Sequence, residues 1–358
     1  MIRQVAKRLA SLFCDEKIDV VCVLGGPYVG KSWLVNSYIS KDDKMMVFDD
    51  INSYDEFLKL IKAQRISQVK YIIIGRLLED RCRRLVNGNI NISYVNVYPI
   101  NFAEFRALIP KGYSIEPSEI LKMYMLVGGL PEVVKVFLDT GDLEKVRCKQ
   151  LQILNKLEGE MDRKEKALIK SVVAQEQNKS TGFFLSKIDR NARKREYEES
   201  LENLLDMGII EKQWRFDPMK NADVRKYRLY IYDIGLYLAA VGADIQGFAN
   251  CYEEWDKQLL YKFYLLDLRT YIDKSHEIIM YWSRHKGKAN ISIIINKKCG
   301  EGGLLFPIRI KEKVELLDKS VQVFVKEYPN VNSFNICVPS MEKVEDGMDL
   351  YSKIRNIT

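Results

Sequence analysis

Short apolar runs alternate with amphipathic stretches through the first hundred residues. Residues 19–24 (Asp-Val-Val-Cys-Val-Leu), 44–50, 69–75 and 92–97 are β-branched, apolar and too short for helices. Apolarity that is continuous rather than alternating predicts strands buried on both faces, as in a parallel sheet. Between them, 32–39 and 54–61 carry apolar residues at helical spacing. The opening stretch 1–13 is amphipathic and basic and lacks a signal-peptide core. It reads either as a first helix packed on the sheet or as an organelle-targeting segment. The pattern is that of an α/β protein.

The pattern changes at about Leu143. From there to Asp233 the chain is helix-rich and charged, with helical spacing over 162–173, a shorter apolar stretch over 183–188 and a longer helix over 192–207. Gly208 stands where a C′ glycine ends a helix. Residues 209–216 and 226–232 then read as a hairpin across Asp217-Pro218. Three helices and a two-stranded wing make a winged helix. Its recognition helix opens with Arg190-Asn191-Ala192-Arg193-Lys194-Arg195, and its wing offers Lys220, Arg225, Lys226 and Arg228. Both suit phosphate and groove contacts. The helix then turns acidic at Glu196, Glu198, Glu199 and Glu202, so nucleic-acid contact and a purely packing role stand side by side.

The densest chemistry lies between the first strand and the first internal helix. Gly25-Gly26-Pro27-Tyr28-Val29-Gly30-Lys31-Ser32 reads G-x-x-x-x-G-K-S, the P-loop pattern. Gly25 and Gly30 permit positive φ, which lets successive amides turn toward phosphate oxygens. Lys31 has the reach for the β- and γ-phosphates, the Ser32 hydroxyl suits Mg²⁺, and the helix that follows adds its dipole. Gly25, Gly26, Pro27, Val29, Gly30, Lys31, Ser32 and Trp33 are therefore the expected nucleotide contacts, with ATP and Mg²⁺ as cofactors. The plainer alternative is a glycine turn with a surface lysine. The second strand ends in Asp49-Asp50. Either Asp49 completes the Mg²⁺ site with Ser32 and Asp50 orients the attacking water, or both acids merely cap an exposed strand end. Asp50 and Lys31 are thus the candidate catalytic residues. Arg76, Arg81, Arg83 and Arg84 follow the third strand, as γ-phosphate sensors, an arginine finger, or a solvated helix face.

Composition narrows these options. The 358 residues suffice for two or three domains, and 47% hydrophobic content marks a globular chain. A net charge of +7 is compatible with nucleic acid without requiring it. Two histidines, His276 and His285, exclude a His-rich metal centre and disfavour a Ser-His-Asp hydrolase. Seven scattered cysteines without a C-x-x-C pair fit reduced thiols and a cytoplasmic setting. No run is apolar enough to span a membrane.

Three stretches carry a family resemblance: the P-loop, Tyr98-Pro99-Ile100-Asn101-Phe102-Ala103-Glu104-Phe105, and Gly128-Gly129-Leu130-Pro131-Glu132. The chain resembles the prokaryotic AAA-type ATPases that join a P-loop domain to a winged helix and a restriction-endonuclease-like domain. Tyr232-Asp233-Ile234-Gly235-Leu236 resembles the family's junction before the last domain. The resemblance implies an α/β fold with a P-loop NTPase parallel sheet and helical lid over 1–142, a winged helix over 143–237, and an α/β endonuclease-like domain over 238–358. Three departures bear on turnover. Asp50 replaces a Glu, Gly75-Arg76-Leu77-Leu78 replaces Gly-Ser-Ser, and Gly88-Asn89 replaces Gly-Arg.

In the last domain Glu254 fills the family's first carboxylate position and Tyr281-Trp282-Ser283-Arg284 its aromatic stretch. Asn290-Ile291-Ser292-Ile293 stands where Glu-x-Asp-Phe belongs, and Ile308-Arg309-Ile310-Lys311 where Ile-Glu-x-Lys belongs. One carboxylate and Lys311 cannot hold a catalytic Mg²⁺, so the resemblance implies a cutting site that has decayed. Arg284, Lys286, Lys288, Arg309, Lys311 and Lys313 leave a basic surface for a phosphate backbone, or a charged strand edge that deters aggregation. The expectation is an ATP-binding switch with weak or partner-stimulated hydrolysis. Nucleic acid and a protein partner are its candidate clients, and ring assembly stays open because no trans-acting arginine can be assigned. Two alternatives accompany it: a non-hydrolysing ATP-binding interaction module, and an ATP-dependent nuclease.

Overall fold

A computed structural model describes residues 4–39, 45–67, 69–86, 90–110, 115–177, 182–189, 193–217, 223–245, 257–272, 277–284, 289–299, 302–310, 319–328, 336–338, 349 and 351–352. It is a mixed α/β structure with one parallel and one mixed sheet. Helix α1 (Gln4–Cys14) leads into β1 (Val20–Leu24), α2 (Lys31–Tyr38), β2 (Met45–Ile51), α3 (Tyr54–Ser67), β3 (Lys70–Gly75), α4 (Glu79–Leu85) and β4 (Ile92–Asn96). These strands form a parallel sheet in the order β2-β3-β1-β4.

The sheet's two faces sort the apolar residues by parity, as a period of two requires. Val21, Val23, Ile72, Ile74 and Val95 join the cluster built with Leu9 and Phe13 of α1 and Leu34 and Val35 of α2. Val20, Cys22, Tyr71, Ile73 and Tyr94 join a second cluster with Phe57 and Ile61 of α3. β1 is buried along its whole length because it is central and covered on both faces. β2 is an edge strand and leaves Met46 and Val47 exposed.

Five helices follow: α5 (Phe102–Leu108), α6 (Pro117–Val127), α7 (Pro131–Thr140), α8 (Leu143–Glu160) and α9 (Arg163–Gln177). Their starts are written locally. Asn101 and Glu104 form a reciprocal capping box on α5, proline opens α6 and α7, and the Asp142 side chain accepts from the amides of Glu144 and Lys145 on α8.

The stretch over 183–188, expected as helical, is a single 3₁₀ turn at Leu185–Lys187. It is tied across the chain instead: Gln175 bonds the Phe184 backbone through both its amide atoms, and Phe183 N donates to Tyr227 O. Helix α10 (Lys194–Asp206) comes next, and Gly208 takes φ 68° behind it, as its place in the sequence predicts. β5 (Ile210–Arg215) and β6 (Asp223–Ile231) pair as an antiparallel hairpin ahead of α11 (Ile234–Ala240). Then come α12 (Lys257–Leu268), β7 (Glu277–Ser283), β8 (Asn290–Cys299), β9 (Gly302–Ile310), α13 (Lys319–Glu327) and β10 (Ile336–Val338).

The hairpin is not a free wing. β5 pairs in parallel with β7 through Trp214–Met280 and Arg215–Tyr281, giving a sheet in the order β10-β9-β8-β7-β5-β6. Hydrogen bonding therefore runs across the 237/238 division that the resemblance implied. Phe216, Met280, Trp282, Ile294 and Phe324 form the apolar cluster beneath α13. Among the described residues no helix is long and apolar enough to cross a membrane.

Candidate nucleotide site

The glycine loop joins β1 to α2, and its conformation is set by backbone geometry. Gly25 (φ 153°) and Gly30 (φ 85°) adopt angles that a side chain resists, and a Cβ on Gly25 would strike the Val97 carbonyl. Tyr28 also takes positive φ, at 58°. Lys31 reaches back across the loop: its Nζ donates to Gly25 O at 3.0 Å and Gly26 O at 2.7 Å. The ammonium thus straps the two ends of the loop together. Burial, then the nearby Arg76 charge, draws the Lys31 pKa down to about 8, while Asp49 and Asp50 pull it upward.

The other expected contacts fall around this strap. Val29 is fully buried in the main core cluster, and Pro27 is buried. Gly26 and Ser32 are half-buried on the loop and the first turn of α2. Trp33, next along the first turn of α2, is 53% exposed.

Asp49 and Asp50 lie at the end of β2, where pairing with β3 is bulged between Phe48 and Ile51. Asp50 takes φ 61°, its amide donates to Asp49 Oδ1, and its own Oδ1 accepts from Asn52 Nδ2 at 2.8 Å. Among the described residues no three His, Cys, Asp or Glu side chains group as a metal site. A serine hydroxyl and one carboxylate still suit Mg²⁺, which keeps several waters and takes further oxygens from phosphate.

Arg76 follows β3 directly. Gly75 lies opposite Leu24 in the β1–β3 register, so Arg76 stands beside the start of the glycine loop. Its guanidinium pairs with Glu160, at the end of α8, at 2.7 Å. Arg81 pairs with Asp206 at 3.0 Å and lies 4.3 Å above the Tyr54 ring, whose hydroxyl donates to the same carboxylate. Arg83 pairs with Glu79 within its own helix. Of the cations expected to sense phosphate, Arg76 is the one beside the loop.

The loop also leans on residues from far along the chain. Gly208 backs onto Gly26 so closely that a Cβ on Gly26 would come within 2.7 Å of Gly208 O. The buried Tyr232 hydroxyl donates to Pro27 O at 2.9 Å. Asp233 binds the turn between α6 and α7: its carboxylate accepts from Gly129 N at 2.7 Å and caps α11 through Leu236 N. Burial raises the Asp233 pKa, and the amides of Gly129, Leu236 and Gly235 oppose that rise. The sequence marked Tyr232-Asp233 and Gly128–Glu132 as motifs but gave no sign that one holds the other. Glu160 carried no signal, lying 84 positions from its partner in an ordinary charged helix.

Candidate nucleic-acid contacts are less gathered. Arg193 and Lys226 are exposed, whereas the Arg228 guanidinium lies 4.2 Å over the Tyr281 ring, because the hairpin abuts β7. Arg284 pairs with Glu327. The side chains of Lys194, Arg225 and Arg309 fall outside the described residues, as do Arg190, Lys220, Glu254, Lys286, Lys288, Lys311, Lys313, Gly88, Asn89, His276 and His285.

Residues 118–246 match a family described as a domain of unknown function, DUF8612. The matched segment runs from α6 to just beyond α11 and spans the expected 142/143 boundary. It holds Glu160, Gly208, Tyr232 and Asp233 but not the glycine loop. Among curated proteins, nothing matches the chain.

Proposed function

We propose that the chain is an ATP-binding switch protein of the AAA type, with weak or partner-stimulated hydrolysis. The observation that supports this best is the Lys31 strap: a glycine loop between a buried parallel strand and a helix, closed by an ammonium whose charge is disfavoured by burial and by the nearby Arg76. In this reading the loop amides and the start of α2 bind the phosphates, and Lys31 balances their charge. Ser32 and Asp49 hold Mg²⁺, which when bound neutralises charge building on the phosphate oxygens. Asp50 orients water. Arg76 supplies a second cation once it leaves Glu160. The helices α9 and α10 with the β5–β6 hairpin serve as a winged helix, and the C-terminal sheet as an endonuclease-like domain whose chemistry has lapsed. Nucleic acid, or a protein partner, is the client of these two parts. The cytoplasm is the expected setting.

One observation favours the non-hydrolysing alternative. Asp50 sits at φ 61° with its side chain engaged by Asn52, a constrained posture for a water-orienting base. Calorimetry of ATP·Mg²⁺ against wild-type and Lys31→Ala protein tests the site. Binding should be lost in the variant, and equal binding by both would sink the reading. Phosphate release with and without DNA then separates hydrolysis from mere binding.

A further inference from the structure

The carbonyls along the first half of the glycine loop are taken in sequence. Gly25 O and Gly26 O accept from Lys31, and Pro27 O accepts from Tyr232. Lys31 belongs to the loop itself, but Tyr232 lies 205 positions away, at the end of β6. A peptide group whose oxygen is pinned on one side presents its N–H on the other, so fixing these oxygens also fixes which way the amides face.

The Tyr232 phenol is well built for this task. It is 3% exposed, its ring lies against the position a Gly26 Cβ would take, and burial raises its pKa so that it stays a donor. Its backbone is held as well: Tyr232 N donates to Ile209 O, and Asp233 beside it anchors the turn between α6 and α7. Gly208 completes the support. It ends α10 in a left-handed conformation, and its backbone packs directly on Gly26.

We infer that Tyr232, with Gly208 behind it, is a positioning residue for the glycine loop, making the α10–β6 unit the element that regulates phosphate binding there. The unit's docking holds the loop in its anion-receiving form, and by reciprocity an anion in the loop strengthens the docking. This gives the segment matching the domain of unknown function a task within this chain: it buttresses the loop and reads whether the loop is filled. The claim about loop geometry stands by itself, whereas the claim about ligand coupling rests on the nucleotide reading above.

Tyr232→Phe separates the two, because it keeps the ring and its packing and removes only the donor. Hydrogen exchange of ligand-free protein reads the first claim. Amides of residues 25–33 should exchange about fivefold faster in the variant, the effect of losing one ordinary hydrogen bond. Calorimetry with ATP·Mg²⁺ reads the second, with an expected affinity loss of about fivefold. A merely structural tyrosine would lower the melting temperature and leave both readouts where they were, and that result would overturn the inference. Tighter ATP binding in the variant would overturn it too, by showing that docking opposes the ligand. Should wild-type protein bind no ATP, the nucleotide reading fails, and loop exchange alone still decides whether Tyr232 holds the loop.

Discussion

Replacing Lys262 by Met probes the buried ion pair that joins α9 to α12. Lys262 Nζ lies 2.7 Å from Glu176 Oε1, with the two side chains only 2% and 11% exposed. Burial pushes the Glu176 pKa up although Lys262 pulls it down, and pushes Lys262 down although Glu176 and Asp233 pull it up. Each charge therefore loses more to burial than its partner returns. Lys262→Met leaves Glu176 stranded, with an Oε2 that already has no partner among the described residues. The cost should be about 3–5 kcal/mol. Loss of the cation 4.0 Å from the Tyr237 ring adds about 1 kcal/mol. Replacing both residues by Met removes the problem, and that variant should match wild type or exceed it by about 1–4 kcal/mol.

A double-mutant cycle measured by urea unfolding, followed through tryptophan fluorescence, should then give a coupling of about 4 kcal/mol or more. The pH dependence carries a second sign. In Lys262→Met the folded pKa of Glu176 stays above its unfolded value, so stability from holding that proton is present at low pH and lost as pH rises through the folded pKa. The gap between this variant and wild type should narrow as pH falls from neutral toward the ordinary carboxylate range. A single-variant cost below about 1 kcal/mol, or a gap indifferent to pH, would refute the reasoning.

Gly208→Ala should cost about 2 kcal/mol or more, because the new Cβ meets Gly26 backbone at 2.8 Å as well as adopting positive φ. Gly141→Ala, with similar φ but open space around it, should cost only about 1 kcal/mol, and comparing the two urea midpoints isolates the close approach. Asp233→Asn turns an amide donor toward backbone N–H groups and should cost about 2 kcal/mol by the same assay. Glu160→Gln should leave stability within about 1 kcal/mol, since the pair with Arg76 is partly solvated. In the nucleotide reading it also frees Arg76, so ATP affinity by calorimetry should rise about two- to fivefold.

What could be read from residues alone was mostly local. The apolar runs at 20–24 and 70–75 announce buried strands because central parallel strands tolerate no polar face. Gly25, Gly30 and Gly208 announce turns because only glycine adopts their angles without strain. The stretch at 183–188 misled because Phe183, Leu185 and Ile188 pack against the main core without needing a helix, while Phe184 stays exposed. Longer-range facts left no local trace. That Tyr232 reaches Pro27, or that β5 lies alongside β7, depends on how segments two hundred or seventy residues apart close on one another. The candidate site was legible in its chemistry and hidden in its supports.

The shared sheet bears on how this chain can be divided. A fragment ending at residue 246 would keep the whole of the segment matching the domain of unknown function yet strip β7 from the flank of β5. Unsatisfied peptide groups beside Trp214 and Arg215, and a bared Phe216, would then face water. Such a rim recruits whatever strand it meets. A free-standing version of this unit therefore needs a strand from elsewhere along that flank.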